Sequence, residues 1–253
     1  MAGLTAGWVP KQHGAWAMIL VPYLAGLVMA RDARPLGPAD LTLGLTWLLG
    51  YFAYSAAALT LKAPAKRRTR YAPALAVYAA AAAVAGLVTL ALTGPVLLWW
   101  APAYSVLVTW ALYLAASRRE RSLQSGVLTV VASCGLMAVL QPWGADDPTR
   151  WRDVAMMVVL TAYFVGTVLH VKALIRERND PASAVRSQAY HAAVALVTVA
   201  AVGAGWLGWW WLTWAAALVA RSFWMPRARR RPAQIGVMEI LLSAWALTLV
   251  LLG

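Results

Sequence analysis

Nine mostly apolar stretches, each close to the length of a bilayer-crossing helix, constrain this chain more than any motif does. They lie at about 14–30, 39–61, 72–93, 95–116, 126–143, 153–175, 187–206, 208–225 and 235–252. A helical crossing takes about 20 such residues, because an α-helix rises only about 1.5 Å per residue. Of the 253 residues 62% are hydrophobic and only 12% charged, with a mean hydropathy of +0.65. A soluble domain of this size could not hide that much apolar surface. The sequence therefore predicts an all-α polytopic membrane protein, one transmembrane domain over residues 1–253 with about nine helices. The opening "MAGLTAGWVPKQHG" lacks a small-residue cleavage site after a short apolar core, so the first stretch is expected to stay in the mature chain.

Charge gives the expected orientation. With the N-terminus inside, 18 of the 22 Lys and Arg residues fall in inner segments, and only Arg31, Arg34, Arg150 and Arg152 fall outside. That bias predicts a cytoplasmic N-terminus and an outer C-terminus, in a bacterial cytoplasmic membrane. A net charge of +13 would point a soluble protein toward nucleic acid. Here the basic residues sit between apolar stretches, so membrane lipids with anionic heads are the expected partners and nucleic acid is not. Tryptophans such as Trp99, Trp100, Trp151, Trp206 and Trp209 to Trp211 mark outer helix ends, as interfacial indoles do. Cys134, the single cysteine, lies in an apolar stretch and offers neither a disulfide nor a cysteine metal site.

Polar residues inside or beside the stretches concentrate on the inner side. His13, His170, His191 and Glu239 are the candidates for proton chemistry. A charge as deep as Glu239 costs a few kcal/mol unless paired, so a partner among Arg221, His13 or a lysine is expected, or a protonated carboxyl. His170 closes one stretch and His191 opens the next, which places them at similar depth if those helices are antiparallel neighbours. They could bind a metal or haem, act as a general base, or hydrogen-bond a neighbouring helix. The sequence names no cofactor.

Two segments share the pattern K-A-x-x-[KR]-x-R: Lys62 to Arg68 and Lys172 to Arg178. Each closes an apolar stretch. This is consistent with a parallel repeat of halves 14–116 and 126–225 plus an extra helix at 235–252. Lys62, Arg67, Arg70, Lys172, Arg176 and Arg178 are candidate ligands for an anionic group, with Tyr71 and Tyr190 as hydroxyl donors and Lys11 and Arg221 nearby. The competing reading is an ordinary basic collar, which fits the polybasic Arg227 to Arg231 best. No P-loop pattern and no hydrolytic triad arrangement occurs.

The segments "PKQHGAWAM", "HVKALIRER", the pair Tyr190-His191 and "IGVMEI" resemble the YwiC-like family of bacterial membrane proteins. Nine helices with polar loops after the second and sixth are also similar to the UbiA superfamily of intramembrane prenyltransferases. That likeness implies an intramembrane transferase whose aspartate-rich loops hold Mg²⁺ and a prenyl diphosphate. Here the first loop, "LKAPAKRRTRYAP", has no carboxylate and the second has only Glu177 and Asp180, too few hard oxygen ligands for such a site. The expectation is a UbiA-like enzyme or binder, open to the cytoplasm, for a lipid or isoprenoid with an anionic head. The alternatives are a small-solute or ion transporter and a non-enzymatic membrane assembly factor.

Overall fold

The computed structural model describes residues 7–10, 15–142 and 149–252. Its elements in chain order are α1 (Ala15–Ala33), α2 (Pro38–Lys62), the single turn α3 (Ala65–Arg68), α4 (Ala72–Thr93), a 3₁₀ stretch (Pro95–Trp100) leading into α5 (Ala101–Ala116), α6 (Leu123–Leu140), α7 (Arg150–Ile175), α8 (Pro181–Gly203), α9 (Trp210–Trp224) and α10 (Pro232–Leu251). Eight of these are long and apolar enough to cross a bilayer, counting Pro95–Ala116 as one. The chain is thus a multi-pass, all-helical membrane protein. The ninth expected span is where the reading changes: α9 has 15 residues, which at helical rise gives about 22 Å, short of a hydrocarbon core of about 30 Å.

Helix starts follow local chemistry. Proline occupies the first turn of α2, α8 and α10, where its missing N–H is no loss. Asp180 caps α8 by accepting from the Ala182 amide at 3.0 Å, and the Asp40 carboxylate accepts from the Gly37 amide at 2.9 Å before α2. α4 ends at Gly94, whose φ of +72° turns the chain into the 3₁₀ stretch.

The chain divides into two compact units, each described on its own. The first holds Pro35–Ala132 and the described residues before the first helix; the second holds α1 and residues from Ser133 onward, so α6 is shared. In the first unit α2 and α4 lie side by side, and hydroxyls join them: Thr89 Oγ1 donates to Thr42 Oγ1 at 3.0 Å. Tyr78 donates to the Trp8 carbonyl at 2.7 Å and meets Phe52 edge-on. Much of the remaining surface of α4 is outward-facing valine and leucine.

The second unit has a denser interior. Tyr163, Phe164, Trp211, Trp214, Met156, Leu160 and Leu218 are all almost fully buried. α1 and α6 approach closely at Gly26, where a Cβ would come within 3.0 Å of the Met137 backbone. The Gln141 side-chain amide ties the same pair by donating to the Gly26 carbonyl at 3.2 Å.

Candidate functional site

Four helices of the second unit turn polar side chains toward one another. On α7 the buried positions 163, 167, 170 and 174 recur every three or four residues; on α8 they are 183, 187 and 191. On α9 they are 214, 218 and 221, and on α10 235, 239, 242, 243 and 246. That spacing is one face of a helix. Within this otherwise apolar interior lie a guanidinium, a carboxylate and two imidazoles.

Arg221 is the hub. Its Nη1 donates to both carboxylate oxygens of Glu239, and its Nη2 donates to His191 Nε2 at 2.6 Å. Thr167 Oγ1 also donates to Glu239 Oε2, at 2.9 Å. Arg221 is 3% exposed and Glu239 8%, so both charges have left water and each depends on the other. Because a guanidinium can only donate, His191 Nε2 must be bare. Its proton sits on Nδ1, which donates to the Ser187 carbonyl at 2.7 Å. The hydrogen-bond network therefore assigns the His191 tautomer.

The chain of contacts continues through Ser187. Its hydroxyl lies 3.1 Å from His170 Nδ1, and the two imidazoles meet edge-on with centroids 5.6 Å apart. His170 is fully buried, yet its Nε2 has no hydrogen-bond partner, and neither has Arg221 Nε. On the other side of Glu239, Tyr163 places its hydroxyl 2.9 Å from Ser243 Oγ and donates to the Glu239 carbonyl at 3.1 Å. Gly166 lets α8 approach: a Cβ there would lie 3.1 Å from both His191 Nε2 and Tyr190 Cε1.

An apolar layer covers one end of this cluster. Leu174, Met225 and Ile235 pack together, flanked by Val171 and Met238. They stand one helical turn from His170, Arg221 and Glu239 respectively, all toward the end where α7 meets α8 and α9 meets α10. Beyond the layer the loops between these helices carry the basic residues.

The structure unites His170, His191, Arg221 and Glu239, and of the expected partners for Glu239 it selects Arg221. Arg221 accordingly lies inside the unit with a carboxylate and an imidazole. Lys11 and His13 lie outside the described residues. Lys172 holds Glu177 at 2.6 Å, and that hydrogen bond keeps the Glu177 carboxyl below its ordinary range. Arg186 pairs with Asp180 at 2.9 Å. Arg178 donates to the carbonyls of Leu174 (2.9 Å) and Arg230 (3.2 Å). Arg176 is exposed at the end of α7, and Tyr190 is half-buried beside His191. Lys62, Arg67, Arg70 and Tyr71 belong to the first unit, where Lys62 meets Glu120 at 3.3 Å and Arg67 and Arg70 are exposed.

Ser187, Thr167, Tyr163 and Ser243 were not among the expected residues. Their one sequence signal is register: Thr167, Ser187 and Ser243 lie three or four positions from a candidate on the same helix face, and Tyr163 lies seven, two turns, from His170. Among the described residues no three His, Cys, Asp or Glu side chains gather as a metal site would need.

The fold and the buried charges define a polytopic membrane protein whose second unit encloses a buried ionic cluster. The model of the family described as "YwiC-like protein" matches residues 9–141, just over half the chain, and the protein belongs to that family. It is 29% identical over 251 residues to the uncharacterized protein YwiC of Bacillus subtilis (strain 168), covering 96% of this chain and 97% of that one. It is 24% identical over 249 residues to an uncharacterized protein of Haemophilus influenzae (strain Rd), covering 97% and 98%. No solved structure matches. The family model ends before α7, so the cluster lies in the part of the chain that the two full-length relatives share with it.

Proposed function

We propose that this protein is an intramembrane enzyme or binding protein, open to the cytoplasm, for a lipid or isoprenoid-type molecule with an anionic head. The observation that carries the reading is the Arg221–Glu239–His191 cluster inside apolar helices. Ionisable groups at such depth are penalised by a few kcal/mol even in lenient insertion scales, and their usual justification is a functional one. In this reading the tail lies among the helices and the head among the basic loops. Arg221 and Glu239 hold each other and fix His191. His170, whose Nε2 is bare or protonated but unpartnered, is the group that accepts or gives a hydrogen bond or proton. The basic ends face the cytoplasm of a bacterium, following the charge bias. The relation to UbiA enzymes is part of this proposal and rests on helix number and loop placement, without their aspartate motifs.

Mass spectrometry of molecules that co-purify with the wild type, Glu239→Gln and His170→Gln proteins tests it. A ligand with an anionic head, near-stoichiometric in the wild type and lost from both variants, is the expected result. A second reading, a proton-coupled transporter, draws on the interior position of Glu239. A ligand-free wild type whose solute flux in proteoliposomes disappears with Glu239→Gln would replace the first reading with the second.

A further inference from the structure

The loop between α7 and α8 and the loop between α9 and α10 enclose a cleft of about 350 Å³, lined by Glu177, Arg178, Asp180, Arg227, Arg229 and Arg230 among others. That volume lies within the range of small-ligand sites. Arg178 builds it, because its guanidinium reaches from the α7–α8 loop to the carbonyl of Leu174 at the end of α7 and that of Arg230 on the opposite loop. Charge in the cleft is one-sided. Lys172 neutralises Glu177 and Arg186 neutralises Asp180, so both acidic residues are already taken. Among the described residues Arg227, Arg229 and Arg230 form no ion pair.

Arg230 departs from what a lipid-facing collar requires. A collar arginine extends its guanidinium into water or headgroups. The Arg230 guanidinium instead lies over the Trp224 ring, 4.3 Å from its centroid. Its Nε–H is buried without an acceptor. A desolvated donor left open is unfavourable, and a charged acceptor entering the cleft would give it a partner.

We infer that this cleft binds a phosphate group, with Arg227, Arg229 and Arg230 as its ligands and Arg178 as the brace that holds the two loops together. A phosphate supplies the several oxygens that planar guanidinium forks engage. The polybasic run that reads as a collar in the sequence is then a binding site. The inference deepens the proposed function by placing the anionic head, but it is argued without the buried cluster and is tested apart from it. The phosphate could belong to a lipid headgroup or to a soluble phosphoester.

The full chain in neutral detergent would be titrated with inorganic phosphate, and separately with phosphatidic acid in mixed phosphatidylcholine micelles, following adduct formation by native mass spectrometry. Binding of at least one probe is expected, weakened about tenfold or more, which is 1.4 kcal/mol or more, by Arg227→Gln/Arg229→Gln/Arg230→Gln. Binding of phosphate alone would identify a soluble phosphoester site, and binding of phosphatidic acid alone a headgroup site. Arg67→Gln/Arg68→Gln/Arg70→Gln, in the other basic loop, should bind as the wild type does. Arg230→Lys keeps the charge but loses the fork, so it should bind severalfold more weakly. Absence of binding by the wild type, equal binding by the cleft variant, equal loss in the other loop, or an unchanged Arg230→Lys would each overturn the inference. The phosphate probes are added to the purified protein whether or not a lipid co-purifies with it, so this result and the proposed function can fail separately.

Discussion

The two units are made from the same residues and differ in what their interiors hold. Both consist largely of alanine, valine and leucine, and both end a helix on a lysine paired with a glutamate, Lys62 with Glu120 and Lys172 with Glu177. In the first unit, 6% of the α4 span is buried, whereas half of the α7 span in the second is. The internal polar contacts of the α2–α4 pair are threonine hydroxyls, which also bond carbonyls four residues back on their own helices. Those of the second centre on Arg221, Glu239 and two histidines. Lipid solvates leucine as well as another helix does, so an apolar helix needs no particular neighbour. A buried guanidinium needs one, in one place. The contrast locates specific packing in the second unit.

The largest expected effect follows from removing one charge. Arg221→Met leaves Glu239 buried without its cation and should destabilise by about 3–5 kcal/mol. Lys62→Met, which breaks the partly exposed rim pair of the first unit, should change stability by less than about 1 kcal/mol. Unfolding measurements in bicelles compare the two directly. The double variant Arg221→Met/Glu239→Met should recover most of the loss, since no charge is then stranded. If Arg221→Met were as mild as Lys62→Met, the contrast between the units would fail.

Glycine substitutions sharpen it next. Gly166→Ala pushes a methyl to 3.1 Å from His191 Nε2 and should destabilise by about 1–3 kcal/mol, as overpacking does. Gly86→Ala in α4 meets only the Thr46 side chain, its methyl at 3.5 Å and its hydroxyl at 4.0 Å. It should be neutral, or stabilise by up to about 1 kcal/mol through reduced freedom of the unfolded chain. The smallest effect concerns pH. The hydrogen bond from Lys172 depresses the Glu177 carboxyl, so its contribution is full above the ordinary carboxylate range and disappears as pH falls through the lowered value. Being a partly exposed pair, it is worth a few tenths of a kcal/mol. Acid titrations of wild type and Glu177→Gln should differ by that amount at neutral pH and converge in acid.

Much of this arrangement was legible in the sequence. The helices show because their apolar stretches match a bilayer. The antiparallel placement of His170 and His191 follows from their positions at consecutive helix ends. The need of Glu239 for a cation was legible from its depth, but the choice of Arg221 was not, since Arg221 has the helix-end position of several other basic residues. α8 begins six residues before the expected 187 because Ser183, Arg186 and Ser187 dilute the hydropathy of its first turns. The Asp180-Pro181 pair was the better marker there, as a cap followed by a first-turn proline. The expected stretch 208–225 is longer than α9 because Gly208, Trp209 and Met225 continue the apolar run without belonging to the helix. Ser187 carries no distinguishing letter; only its position four residues before His191 does. Arg178 and Arg230 look like any helix-end arginines until their hydrogen bonds are known.

The most direct test of the buried cluster is the protonation of His191, read from the imidazole ¹⁵N shifts of the labelled protein in bilayers at neutral pH. The network requires a proton on Nδ1, donated to Ser187, and a bare Nε2 accepting from Arg221. A proton on Nε2, alone or as imidazolium, would contradict it, because Arg221 could not then donate to His191.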